Sequence, residues 1–310
     1  MISAFGLAVE LGFPIPELDG PMPVPDAARP VGPGLRIELA GACELDAAWS
    51  GSLTPPVVGR AVVDGSSWEA ERGQAGDIRM AHALGRFHLD SGATRMRCAP
   101  TDPDAPAWRR LLLDTALVTA SLARGRDALH AGCVVSRGTA IAIAGASGAG
   151  KTTLLLELLR SGARFLADDV VALEPSGDGV LALPGPPVAN FPACEPTDEL
   201  ADRLHRLSDE WWVRIREPDQ APRPLGVVLV LEPTEPDSNL PPVSRIEAKA
   251  APLLQHALHS GARPDRLERR FAVLSRLAAG AEVIEVRVDR TRPVAELTDR
   301  VIEAVPLLQA

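Results

Sequence analysis

The sequence predicts a mixed α/β core with antiparallel elements in its sheet, preceded by a smaller β-rich region. Three observations predict it. A strand-like run, Thr139 to Ala144, passes through a glycine-rich turn directly into an apolar helical run, Thr152 to Arg160. Strand-like runs outnumber the helical runs between them from residue 129 onward, and short turns such as Ser136-Arg137-Gly138 join several of them as hairpins. The first hundred residues hold short strand-like runs separated by proline and glycine stretches.

In the N-terminal region, Phe5 to Leu11 and Leu35 to Ala40 read as strands, and Ile78 to Ala83, Arg86 to Leu89 and Thr94 to Cys98 as a small meander. The proline-dense segment 14–33 reads as extended linker or sheet edge, because proline has no amide to donate and a fixed φ. A helix is expected over 106–124, capped by Asp104, with Leu111, Leu112, Ala116, Leu117 and Ala120 on one face. The division expected is therefore 1–103, a β-rich region and candidate recognition surface, and 104–310, the catalytic region. In the latter, Leu129 to Val135, Thr139 to Ala144, Val180 to Leu183, Leu225 to Leu231, Val243 to Ala248 and Val283 to Val288 read as strands. Helices are expected over 250–258, 265–279 and 293–308.

Composition narrows the function classes. The chain has 310 residues, is 46% hydrophobic and carries a net charge of −9, which disfavours nucleic acid or an anionic membrane as main partner. Cys43, Cys98, Cys133 and Cys194 are scattered without metal-ligand spacing and read as thiols of a reducing compartment. The first residues lack a basic, apolar leader pattern, and no run is long enough to span a bilayer, so a cytoplasmic protein is the expectation.

The chemistry concentrates in Gly145-Ala146-Ser147-Gly148-Ala149-Gly150-Lys151-Thr152. Lys151 is one of two lysines in a chain whose positive charge is otherwise arginine. A phosphate loop needs a compact point charge there, where a planar guanidinium does not fit. Loop amides and the helix N-terminus cradle the phosphates, Lys151 reaches the β/γ-phosphates and the Thr152 hydroxyl meets Mg²⁺. Thr153 follows on the same turn. The motif predicts a nucleoside triphosphate with Mg²⁺; ATP is the nucleotide that the family resemblance below implies. The second feature is Asp168-Asp169, 17 residues after Lys151, inside the apolar run Arg164 to Leu173. Adjacent carboxylates in a strand point to opposite faces and are costly to bury without a cation, so a strand end or kink beside the phosphates is expected.

The run Leu129-His130-Ala131-Gly132, the hairpin, the loop 145–152, its helix and Phe165-Leu166-Ala167-Asp168-Asp169 together resemble the HPr kinase family, whose core is shared with the phosphoenolpyruvate carboxykinases. The resemblance is closer to the branch found beside lasso-peptide and other peptide-tailoring systems, with Leu183-Pro184-Gly185-Pro186-Pro187 as its Pro-Gly stretch. It covers residues 125–190 clearly. It implies that Lys151 and the loop amides hold the triphosphate, that Thr152 and Asp169 serve Mg²⁺, and that Asp168 is the base for the acceptor hydroxyl. It also implies that His130 stands near the γ-phosphate; the order of roles within the aspartate pair stays open. The implied activity is ATP-dependent phosphorylation of a hydroxyl, on Ser/Thr of a natural-product peptide precursor. A small metabolite kinase, for instance for free serine, and a non-catalytic nucleotide sensor or ATPase are the alternatives.

Two departures bear on the substrate. Thr153 stands where the bifunctional enzymes carry glutamate, and their second signature is replaced by Glu210-Trp211-Trp212-Val213-Arg214-Ile215-Arg216. Arg214 or Arg216 could clamp the moving phosphoryl group or be ordinary strand-edge residues; Trp211 and Trp212 could line an acceptor groove or pack in a core. Homologues of this core often assemble, so a homo-oligomer is a further expectation, though no stretch marks an interface.

Overall fold

The computed structural model describes residues 2–19, 34–49, 57–63, 66–192, 199–207, 210–236, 241–258 and 264–309. The chain forms two compact units, Met1–Arg126 with His259–Leu267, and Asp127–Leu258 with Glu268–Ala310.

The first unit is built on an eight-stranded sheet: β1 (Ile2–Ala4), β2 (Leu7–Leu11), β3 (Leu35–Leu39), β4 (Val57–Val63), β5 (Ser66–Arg72), β6 (Ile78–His82), β7 (Gly85–Leu89) and β8 (Arg95–Pro100), with α1 (Ala42–Trp49) between β3 and β4. Its order is β1-β2-β3-β8-β7-β6-β5-β4, parallel only at β2–β3 and β3–β8. The expected strand from Phe5 to Leu11 is cut: Phe5 and Gly6 take φ of +52° and +75° and turn β1 back on β2. Most of the proline-dense segment lies outside the described residues.

The helix expected over 106–124 is present as α2 (Pro106–Leu111), a π-turn over Leu112–Ala116 and α3 (Leu117–Ala123). Asp104 does not cap it. Ala105 holds that position without a side-chain cap bond, and Pro106 follows, whose missing amide leaves one fewer donor to satisfy. Contacts place this helix with the first unit, whereas the sequence reading began its second region at residue 104. The reason is packing: Ser121 Oγ donates to Phe5 O at 2.8 Å, and Arg109 grips both oxygens of buried Glu17 at 2.8–3.0 Å.

The second unit holds β9 (Asp127–Ser136), β10 (Thr139–Gly145), α4 (Lys151–Arg160), β11 (Arg164–Ala167), β12 (Val170–Ser176), β13 (Gly179–Leu183), β14 (Val188–Pro192), β15 (Ala201–Leu207), β16 (Glu210–Ile215), β17 (Arg223–Pro233), β18 (Val243–Arg245), α5 (Ala250–Gln255), α6 (Pro264–Gly280) from Glu268 onward, β19 (Glu282–Val288) and α7 (Val294–Ala304). Its main sheet runs β10-β9-β12-β13-β17-β19-β18, with β11 on β9, and a further β10–β17 pairing closes the first five strands into a ring. The sheet is mixed: β10–β17 and β17–β19 are parallel, the other pairs antiparallel. β14, β16 and β15 form a small separate sheet in a segment that the sequence reading left without structure.

Alternation along β9 and β10 sorts side chains into two layers. Leu129, Ala131, Cys133 and Val135 join α6 residues Val273, Leu274 and Leu277, while Val134, Ile141 and Ile143 join the α4 leucines and Val301 of α7. The final helix stops at Ala304 instead of Leu308, because Pro306 cannot continue it and opens a short 3-10 turn. Among the described residues no helix is long and apolar enough to cross a membrane. Buried Cys98 and Cys133 are free thiols, and burial pushes both up, well away from thiolate; Cys194 lies outside the described residues.

Candidate active site

β10 ends at Gly145 and α4 begins at Lys151, so residues 146–150 form a tight loop at the carboxyl end of β10. Gly148 and Gly150 turn it with φ of +73° and +100°, values that side chains with a Cβ rarely adopt. Ala146, Ser147 and Gly148 are exposed at its tip, whereas Ala149 is buried against the core. Lys151 is buried, and its Nζ folds back to donate to Gly145 O at 3.0 Å and Ala146 O at 3.2 Å. Burial holds its ammonium below the ordinary lysine range, and the charges of Asp169 and Asp168 oppose that shift. Thr152 and Thr153 sit half-buried on the first turn of α4.

The apolar run 164–173 breaks at the two acids. β11 ends at Ala167, β12 starts at Val170, and Asp169 takes a φ of +58°. That left-handed residue is what frees the pair from strict strand alternation. Asp168 Oδ2 accepts the Asn190 amide of β14 at 3.0 Å, and the Asp169 carbonyl accepts Ala131 N–H at 3.0 Å. His130, opposite Val170 in the β9–β12 register, donates from Nδ1 to the Asp169 carbonyl at 3.0 Å. A carbonyl can only accept, so Nδ1 carries the proton in the neutral ring and Nε2 keeps its lone pair. Burial and then the Lys151 charge hold His130 below the usual histidine range. Gly132, next on the same face of β9, admits a methyl only if Leu155 shifts: a Cβ there would lie 2.7 Å from Leu155 Cδ1 of α4 and 3.8 Å from Asp168 Oδ1.

Lys151, Asp168, Asp169 and His130 thus come from three separate elements into one cluster beside the loop, in which the two carboxylates act on Lys151 and Lys151 on His130. Sequence reasoning missed a fifth member. His256, at the end of α5, is buried; its carbonyl accepts His130 N–H at 2.7 Å, and Ala257 bridges Leu129. Burial, then the charges on His130 and Lys151, push it below its ordinary range, and its Nε2 has no hydrogen-bond partner. The Asn190 Oδ1 beside Asp168 is likewise buried without a partner. No motif surrounds either residue; only strand pairing over more than a hundred positions brings His256 to His130.

Arg214 and Arg216 are not in this cluster. Both pair with Asp202 across β15–β16, at 3.2 and 3.0 Å. Trp212 is fully buried in the small sheet, and Trp211 carries the Arg203 guanidinium over its ring. They are packing residues in that sheet, which removes the acceptor-groove reading for Trp212.

No protein-family model matches the chain. Among curated proteins, a stretch of 54 residues is 44% identical to the HPr kinase/phosphorylase of Exiguobacterium sibiricum (strain DSM 17290 / CCUG 55495 / CIP 109462 / JCM 13490 / 255-15); the match spans 17% of this chain and 17% of that relative's length. Among solved structures, the Hpr(Ser) kinase/phosphatase from Coxiella burnetii aligns over 57% of this chain and 99% of that one, at 12% identity and a TM-score of 0.29, which is too low to carry an argument. The sequence similarity to HPr kinase/phosphorylase is thus local, on a chain of mixed α/β architecture.

Proposed function

We propose that the second unit is an ATP- and Mg²⁺-dependent phosphotransferase of the HPr-kinase-like type that moves a γ-phosphoryl group to a hydroxyl, on serine or threonine of a peptide. The observation that carries this reading is the convergence of Lys151, the aspartate pair and His130 at the mouth of the 145–150 loop. The donor set fits Mg²⁺: the Thr152 hydroxyl and the Asp169 carboxylate are hard oxygen ligands. A Mg²⁺ held by Thr152 and Asp169 would supply neutralisation of the charge that develops during phosphoryl transfer.

The chain's own residues do the rest. Lys151 exchanges the Gly145 and Ala146 carbonyls for phosphate oxygens, which compensate its buried charge better than two dipoles do. Amides of the loop and of the first turn of α4 face the phosphates. Asp168, held by the Asn190 amide, accepts the proton of the acceptor hydroxyl as that oxygen bonds to phosphorus and the bridging oxygen leaves with ADP. His130 is pinned through Nδ1 to the Asp169 carbonyl, which leaves its Nε2 an acceptor in the neutral ring. The β-rich first unit and residues 190–222 are the candidate acceptor-recognition surfaces.

The test is transfer of label from γ-labelled ATP with Mg²⁺ to serine-containing peptides and to free serine. Label on a peptide, lost in Asp168→Asn while ATP still binds, is the expected result. Label on free serine alone would make the chain a metabolite kinase. Release only as inorganic phosphate, unchanged in Asp168→Asn, would overturn the transferase reading.

A further inference from the structure

Where β10 turns off into the glycine-rich loop, a distant stretch of chain takes its place along β9. β10 pairs with β9 from Ala131 to Ser136, and residues 256–258 pair with it from Ala128 to His130, on the side away from β12. The pairing is antiparallel. Leu129 stands opposite Ala257, His130 N–H donates to the His256 carbonyl at 2.7 Å, and Leu258 N–H donates to the Ala128 carbonyl at 2.8 Å. That register sets His256 directly opposite His130, and side chains of directly opposite residues leave one face of a sheet. Leu129 and Ala257 point the other way, into the core shared with α6. His130 and His256 therefore share the face of Gly132, which is turned to α4 and Asp168.

His256 thus lies just past the last residue of β10, beside the start of the loop, where Lys151 Nζ bonds the Gly145 and Ala146 carbonyls. Its side chain is buried, and among the described residues Nε2 has no hydrogen-bond partner. An orphaned buried polar atom costs stability, and native chains satisfy nearly all of them.

We propose that His256 is a further catalytic residue: its Nε2–H donates to an oxygen of the γ-phosphoryl group and holds it through transfer. The proposal rests on reading 145–152 as the phosphate loop of a phosphotransferase. Ionised phosphate oxygens accept hydrogen bonds, so the imidazole that meets them must bring a proton. His130 cannot bring it as a neutral ring, because its Nδ1 proton is committed to the Asp169 carbonyl. His256 has no such commitment on Nε2, and the phosphoryl oxygen supplies the partner that the free protein lacks. Two backbone hydrogen bonds pin residues 256–258 to β9, so the donor is set in place before the nucleotide arrives. A preorganised donor in a dry site acts most strongly on charge that develops during the reaction.

ATP and ADP differ by the group in question, so comparing them isolates this contact without any acceptor. Titration calorimetry with Mg·ATP and with Mg·ADP is the measurement. His256→Leu should weaken ATP by about tenfold or more and leave ADP within about twofold of the wild type. His256→Gln, whose side-chain amide still donates, should restore most of the ATP affinity, whereas Lys151→Met should weaken both ligands. Equal loss of ATP and ADP in His256→Leu would mean a structural role and overturn the proposal. Unchanged ATP affinity there, with loss in Lys151→Met, would overturn it too and leave the phosphate loop standing. Failure of the wild-type chain to bind either nucleotide would remove both readings. The wild-type chain gives a second readout in its imidazole ¹H–¹⁵N spectrum. The His256 signal, identified by its absence from His256→Gln, should move with Mg·ATP and stay in place with Mg·ADP; the same response to both would refute the contact.

Discussion

Replacing Lys151 with methionine tests the loop reading with a magnitude that can be worked out beforehand. In the free protein the ammonium is buried and makes two hydrogen bonds, to carbonyls at 3.0 and 3.2 Å. A bond to a charged group contributes about 1.5–3 kcal/mol net. Against this stands the desolvation of the charge, several kcal/mol per ion. Methionine has similar length and no charge, so the free variant should melt within about 2 kcal/mol of the wild type, the opposing contributions largely cancelling. Nucleotide changes this. A ligand present at about a hundred times its Kd stabilises by about 2.7 kcal/mol. At about 2–4 °C per kcal/mol for a unit of this size, the wild-type melting point should rise by about 5–10 °C. Losing one charge-assisted contact weakens ATP by about 10- to 100-fold, which leaves about 0.4–1.4 kcal/mol at the same ATP concentration. Thermal melts with and without Mg·ATP read the difference directly. Lys249, whose Nζ donates to Ala281 O at 2.8 Å, supplies the control: Lys249→Met should keep the full ATP shift. An undiminished ATP shift in Lys151→Met would refute the loop as the phosphate site.

Further variants test the packing around the cluster. Gly132→Ala places a methyl 2.7 Å from the buried Leu155 and should cost about 1–3 kcal/mol in a denaturant melt; wild-type stability would mean that β9 and α4 are not as close as described. His256→Leu removes an imidazole whose Nε2 is unpartnered, so the melting point should hold or rise, by as much as about 1–3 kcal/mol. His256 also has a pH signature. Its folded-state pKa is lowered by burial and by the charges on His130 and Lys151, so below the unfolded value of about 6.5 the unfolded chain binds more protons. Stability therefore falls as pH drops through that window, by at most about 1.4 kcal/mol per unit for one group. Melting points between pH 7.5 and 5 should fall less steeply in His256→Leu; parallel curves would exclude this histidine as a source of the slope. In the first unit, Arg109→Met removes the bidentate guanidinium from the buried Glu17 carboxylate and should cost about 3–5 kcal/mol, most of it recovered when Glu17→Met is added. Equal stability of the two variants would show that Glu17 does not depend on Arg109.

Much of the second unit was legible in the chain because its signals are local. A strand, a glycine-rich turn and a leucine-rich helix are contiguous, and strand pairing adds little to what the run 139–160 already says. The break at Asp168-Asp169 was legible for the same reason: two carboxylates interrupt an otherwise apolar run, and the backbone answers with a left-handed residue there. The cut at Phe5-Gly6 was missed because a single glycine beside an aromatic does not mark a hairpin by itself, and the sheet of β14, β15 and β16 because adjacent apolar residues in β14 and β16 and adjacent charged ones in β15 give no clean two-residue alternation. Asp104 failed as a cap because Pro106 starts the helix one residue later than the acid could serve.

What the sequence by itself determined is the order of mixed strands and helices, with the glycine-rich turn before Lys151 and the break at Asp168-Asp169, since each is written within a few residues of chain. What only the tertiary structure decided is which distant groups join them. His256 reaches His130 through β-bridging across 126 positions of chain, and Arg290 reaches Gly148 because parallel pairing of β10, β17 and β19 brings their carboxyl ends to one edge of the sheet. Such juxtapositions follow from register and sheet order, and neither property has a signature in the residues that it brings together.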